Sequence, residues 1–199
     1  MFEARRENKL TFRQLAQRIR VPAGFILAPL LLISARPTIN TLVVGAALAI
    51  IGLSIRAWAS GCLMKNMRLA TSGPYAHTRN PVYLGTFLLG TGIAVSGGAL
   101  WFVALFGAFY LLIYVPVMLA EAETLKPLFP DEYDHYSKHV PLFLPRLTPY
   151  RKPKDSVEAD GSQARGFDLS RYMRHREYRA AIGTLAVYAL LIAKMVFLK

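Results

Sequence analysis

Five apolar stretches, separated by polar and arginine-rich segments, set the pattern of this chain: residues 21–35, 38–55, 81–96, 99–120 and 180–198. A helix that crosses a bilayer needs about 20 apolar residues, with about 17 as a lower bound. The second, fourth and fifth stretches reach that length. The first and third are short, and the first contains Pro29. Taken alone, the first fits a re-entrant or interfacial segment as well as a span.

Charge placement decides between these. Lys and Arg collect in cytoplasmic loops, and their bias sets orientation. Six basic residues precede the first stretch, four lie in residues 56–80 and eleven in residues 121–179, while the Arg36 turn has one and the Gly97-Gly98 turn none. With five spans and the N-terminus in the cytoplasm, every basic-rich segment falls on the same side. Without a first span, the N-terminal arm and residues 56–80 would lie on opposite sides. The pattern therefore predicts an all-α integral membrane bundle of about five transmembrane helices. Residues 1–20 form a basic cytoplasmic arm, 21–145 a transmembrane core, 146–179 a basic cytoplasmic region and 180–199 a final transmembrane helix. Within the third region, residues 151–165 lack apolar periodicity and read as a linker. Residues 167–179 read first as a juxtamembrane basic patch attracted to anionic headgroups, and alternatively as an amphipathic helix lying on the membrane.

Composition supports the membrane reading. The 199 residues are 54% hydrophobic and 18% charged, with a net charge of +12; soluble domains carry about a quarter charged residues. A nucleic-acid binder clusters its basic residues on a folded polar surface. Here they sit between apolar runs, which points to membrane lipids and away from nucleic acid. The single Cys62 excludes an internal disulfide framework and a multi-cysteine metal site, and no metal site is expected. No cleavable signal peptide is evident in the polar first twenty residues.

Two polar segments carry candidate chemistry. Residues 71–85 (TSGPYAHTRNPVYLG) open with turn chemistry at Ser72-Gly73-Pro74 and end on Asn80-Pro81, a helix-start signal with Asn as N-cap and Pro at the first helical position. A helix N-terminus with Arg79 beside it suits a carboxylate or phosphate; a well-made helix start alone gives the same residues. The second segment, residues 121–141, begins with Glu121 and Glu123 at the membrane surface. A carboxylate at that depth calls for a cationic partner, and a nearby helix C-terminus strengthens the demand. Arg79, Arg68 or a cationic ligand would serve. Phe129, Tyr133 and Tyr136 recur at helical spacing and read as packing. Because Gly97-Gly98 joins the third and fourth stretches as a hairpin, both segments meet at one face. S-adenosylmethionine, with a carboxylate, an ammonium and a sulfonium, matches both walls.

At these residues the sequence resembles the isoprenylcysteine carboxyl methyltransferase family, including its bacterial members and the related phospholipid methyltransferases. The first motif is carried by Gly73-Pro74-Tyr75, Arg79-Asn80-Pro81, Tyr83 and Gly85. The second is carried by Glu121, Leu125, Phe129, Tyr133, Tyr136 and Val140-Pro141. Residues 56–66 also look like the segment that precedes the first motif. The resemblance implies a cytoplasmic pocket for S-adenosyl-L-methionine, lined by Tyr75, His77, Arg79, Asn80, Pro81, Tyr83, Glu121 and Glu123, with Arg79 and Glu121 as catalytic residues. It implies a lipophilic or prenylated small-molecule substrate entering between helices, in a bacterial inner membrane. Asn80 stands where His is more frequent, Ala122 where a second Glu is usual, and Pro130 where Gly is usual.

The implied reaction is in-line displacement at a sulfonium methyl, a task of positioning and water exclusion. A carboxylate or thiolate acceptor needs no base. An amine or phenol must lose a proton, and His77, His135, His139 and Glu123 are the candidates, with His77 closest to the motif. Two alternatives stand beside a prenyl-thioether acid: N-methylation of a phospholipid headgroup, and a non-catalytic membrane protein that keeps the fold.

Overall fold

The computed structural model describes residues 12–63, 68–152 and 166–197, which are helical with no strand among them. The helices are α1 (Phe12–Ser34), α2 (Ile39–Cys62), α3 (Pro81–Ser96), α4 (Leu100–Leu128), α5 (Pro130–His139), α6 (Leu169–Arg174) and α7 (Tyr178–Phe197), with one 3-10 turn at Gly73–Ala76. Three of them, α2, α4 and α7, are long and apolar enough to cross a membrane, and α3 is a shorter apolar helix. The four cores of these helices lie within the expected apolar stretches. Their ends differ from the expectation in four places, each with a physical cause.

The first helix begins at Phe12, inside the expected basic arm, because its arginines are good helix formers. The second runs to Cys62, so Arg56 is a helix residue and not the start of a loop. The fourth helix does not stop where its apolar run stops. It continues through Glu121 and Glu123 to Leu128, about 43 Å in all at 1.5 Å per residue, longer than the roughly 30 Å hydrocarbon core. Glu121 therefore sits on a helix face two turns before the C-terminus, and the argument that a helix end repels it fails. Finally, residues 167–179 are not one amphipathic helix. Arg176 takes a left-handed φ of 56° and separates the one-and-a-half turns of α6 from α7. Of the expected linker, residues 153–165 lie outside the described residues.

One end of the bundle is closed by two turns that touch. The Arg36 amide donates to the Gly97 carbonyl (2.7 Å), and a Cβ on Gly98 would stand 2.3 Å from the Arg36 carbonyl oxygen. Gly98 also has φ +72°, so both space and dihedral require glycine. Thr38 and Thr41 form a reciprocal capping box that starts α2 at the same end. The C-terminus of α1 is there too, its Leu32 and Ile33 carbonyls accepting from Lys194 Nζ of α7 (2.6 and 2.9 Å). The C-terminal end of α1 is thus tied to the C-terminal part of α7.

The tightest seam joins α2 to α3. A Cβ on Gly52 would lie 2.6 Å from the Gly85 carbonyl oxygen, and one on Gly92 2.5 Å from that of Gly45. Small residues let two backbones approach where lipid offers no hydrophobic driving force. Helix α4 packs chiefly on α1, where Phe102 meets Leu31 of α1 and Ala94 of α3. Between α3 and α4 lies an aromatic column in which Tyr110 and Tyr114 stack at 4.5 Å and 6°. The Tyr110 hydroxyl donates to the Tyr83 carbonyl (2.7 Å).

Candidate functional site

The end of the bundle opposite the two turns carries the residues picked out by sequence. Residues 74–80 are held there by a strap, residues 141–150, that crosses them without regular secondary structure. The Arg79 amide donates to the Pro141 carbonyl (2.9 Å), the Arg146 amide to that of His77 (2.9 Å), and the Tyr150 amide to that of Ala76 (2.9 Å). Side chains add to the ladder. Thr78 Oγ1 donates to Phe143 (2.9 Å), Asn80 Nδ2 to Leu142 (3.0 Å), and His77 Nδ1 bonds the Arg146 carbonyl (2.8 Å). A carbonyl only accepts, so His77 carries its proton on Nδ1 there.

This corrects the reading of Asn80. The residue does occupy the N-cap position of α3, and Pro81 follows at the first helical position, but the Asn80 side chain makes no capping bond. Its amide is spent on the strap. Pro81 is fully buried behind it.

A second layer sits above the loop. Helix α5 folds back so that Tyr133, Tyr136 and Val140 pack with Leu69, Ala122, Leu125 and Phe129. The aromatic stripe is packing, as its spacing suggests, but its hydroxyls are used. Tyr136 donates to the Tyr75 carbonyl (2.6 Å). Arg79 Nη1 donates to the Tyr133 hydroxyl (3.1 Å), its guanidinium 6.0 Å from the centre of that ring. Arg79 Nε is buried and has no hydrogen-bond partner among the described residues. An unsatisfied buried donor costs free energy and calls for an explanation such as an absent ligand.

Tyr75 is 8% exposed, wedged against Ala59, Cys62 and Val82. Burial raises its hydroxyl well above the usual tyrosine range, and the carboxylates of Glu121 and, more weakly, Glu177 raise it further. The charges of two acidic groups, one on α4 and one in the turn before α7, therefore bear on Tyr75. Glu121 is exposed, and no hydrogen bond or ion pair to it forms among the described residues. Arg79, a partner proposed for it, points to Tyr133 instead.

The structure thus brings Tyr75, Arg79 and Glu121 to one end, with Tyr133 and Tyr136 as supports. His77 and Asn80 belong to the loop–strap ladder. Tyr83 turns toward α4, its ring 5.8 Å from that of Tyr114. Glu123 is exposed on α4. Among the described residues no group of three His, Cys, Asp or Glu comes together.

Sequence reasoning missed Glu177. Its Oε2 accepts from Arg56 Nε (3.0 Å) and Nη2 (2.7 Å), with the side chains 18% and 13% exposed, and Arg56 Nη1 bonds Thr86 Oγ1 of α3. The pair borders a crevice of about 200 Å³ between α2, α6 and α7. The available signal was a lone carboxylate in a strongly basic segment just before an apolar run.

Comparison with known proteins bears on the same region. The chain is 34% identical over 142 residues to the cobalt-zinc-cadmium resistance protein CzcN of Cupriavidus metallidurans, covering 66% of this chain and 64% of that one. It is 31% identical over 98 residues to the nickel-cobalt-cadmium resistance protein NccN of Alcaligenes xylosoxydans xylosoxydans, covering 49% and 46%. The chain spans just under two thirds of the first relative and under half of the second. No solved structure matches it significantly. The sequence model of the phospholipid methyltransferase family matches residues 43–132, so over α2 to α4, where Tyr75, Arg79 and Glu121 lie, this chain is similar to membrane methyltransferases.

Proposed function

We propose that this protein is a membrane methyltransferase that uses S-adenosyl-L-methionine to methylate the polar head of a lipophilic acceptor at the cytoplasmic face of the membrane. The observation that carries the proposal is the exposed carboxylate of Glu121 beside the buried Tyr75, inside the segment similar to phospholipid methyltransferases. The donor set fits the cofactor. Glu121 would hold its ammonium, and Arg79, braced by Tyr133 and with Nε unpaired among the described residues, would receive its carboxylate, whereas Glu123, two residues on, faces away from Glu121 on the same helix. Bound there, S-adenosyl-L-methionine would supply an electrophilic methyl group. The chain's own part is to orient and to exclude water: the strap fixes residues 74–80, and α5 covers them.

The acceptor is an isoprenylcysteine carboxylate-like lipid in this reading. A phospholipid amine is favoured by a separate observation. His77 donates from Nδ1 to the Arg146 carbonyl, which leaves Nε2 as a lone-pair nitrogen able to take the proton an amine must lose. The names of the two relatives state a resistance and not a reaction.

The test is label transfer. Membranes holding the full chain, given methyl-labelled S-adenosyl-L-methionine, should yield labelled lipid, and Glu121→Gln should abolish it while melting in detergent stays unchanged. The cofactor affinity of that variant should fall by about 1.5–3 kcal/mol, the worth of a hydrogen bond to a charged group. Base-labile label indicates a methyl ester and stable label an N-methyl group. A parent protein that binds no S-adenosyl-L-methionine in detergent would leave the non-catalytic alternative.

A further inference from the structure

Helix α5 has a second face that the site does not use. Tyr133 and Tyr136 point inward and are buried, whereas His135 and His139, one turn apart, are exposed on an adjoining side. Their rings stack with centroids 4.4 Å apart and 28° between planes. Residues four apart on a helix are surface neighbours, so this much follows from sequence. What sequence does not show is how the remaining nitrogens are held. His139 Nδ1 lies 2.8 Å from the His135 carbonyl oxygen. That oxygen only accepts, so the proton is on Nδ1 and Nε2 keeps its lone pair. His135 Nδ1 lies 2.8 Å from the Tyr150 hydroxyl, a partner supplied by the end of the strap. His139 is thus fixed with its proton on Nδ1, and His135 is held at Nδ1 by a hydroxyl that accepts from it in the tautomer that leaves Nε2 for a ligand. Metal-binding histidines are held in this manner, with the second ring nitrogen bonded to a carbonyl or other polar group that sets tautomer and orientation.

We infer that His135 and His139 form a two-histidine site for a divalent transition-metal ion on the outer face of α5, with Tyr150 as the supporting group and water in the remaining positions. Imidazole selects zinc, copper, nickel or cobalt over calcium and magnesium, which take oxygen ligands. The site is separate from Glu121 and Arg79, and it does not depend on the methyltransferase reading.

The experiment uses the full chain, without a histidine tag, in detergent, titrated with Zn2+ in competition with a chromogenic chelator. The parent should bind one ion per chain saturably. His135→Gln and His139→Gln should each remove that binding, Tyr150→Phe should weaken it about tenfold, the lower figure for loss of an outer partner, and His175→Gln should leave it intact. Both histidines are exposed, so the variants should melt as the parent does. A measurement on the parent alone guards against misfolded variants: Zn2+, but not Mg2+, should protect His135 and His139 from diethylpyrocarbonate. Absence of saturable binding, binding kept in the His135→Gln/His139→Gln double variant, or labelling of both residues undiminished by Zn2+ would each overturn the site.

Discussion

Asn80 shows what a residue's identity reveals and what it hides. Asn before Pro at the start of an apolar run signals a helix start, and α3 does start there. The same pair gives no sign that the Asn80 amide is drawn sideways to Leu142, because that partner lies 62 positions along the chain. The two roles predict opposite results. A capping Asn tolerates Asp. An Asn that donates to a carbonyl does not, since a carboxylate would face the Leu142 oxygen. Asn80→Ala should cost about 1 kcal/mol, one hydrogen bond, and Asn80→Asp more than Ala, both read by thermal melting. Asp melting as well as the parent would restore the cap. Glu121 teaches the converse. The sequence marks it as a candidate because it is a carboxylate beside a long apolar run. An adverse helix end does not explain its position, because a polar stretch that keeps good helix formers carries α4 onward to Leu128.

At the scale of elements, apolar runs located the helices well and helix partners poorly. A hairpin through Gly97-Gly98 suggests that α3 pairs with α4. In the structure α3 lies closest to α2, and the cause is a set of glycines on facing helices that no single run discloses. The seam has a direct test. A methyl group on Gly85 would lie 2.6 Å from the Gly52 carbonyl oxygen, a backbone atom unable to move away alone. Gly85→Ala should therefore cost about 1–3 kcal/mol, the usual penalty of overpacking. Gly107→Ala, with nothing within 4 Å of its added carbon, should be stable or slightly stabilised through helix propensity. Equal melting of the two variants would show that α2 and α3 do not touch in this way. The pairing of Arg56 with Glu177 is hidden in the sequence for a related reason: a charge near the end of an apolar run looks like the start of a loop, while Arg56 lies within α2.

For the whole molecule, the distribution of Lys and Arg implied that turns near residues 37 and 98 share one side. Their mutual hydrogen bond, Arg36 to Gly97, brings them together independently of any charge rule. With buried Cys62 replaced by Ser, cysteines at positions 37 and 98 should label from outside the cell and one at position 70 only after permeabilisation. Labelling of position 37 from the cytoplasm would remove the first crossing. The sidedness rests on the basic residues, while the bundle's geometry states only which ends coincide. That division explains how much was readable: the architecture follows from local composition, and the site follows from contacts between distant segments.

The strap has a consequence for how this protein tolerates change. Toward the loop at 74–80, the backbone of residues 141, 142, 143 and 146 offers carbonyl oxygens, and every residue type possesses one. Pro141, Leu144 and Pro145 are exposed. The strap is consequently read by its shape and the loop by its letters. Mutation should be absorbed on one side of the ladder and felt on the other, so that two segments in close contact drift at very different speeds.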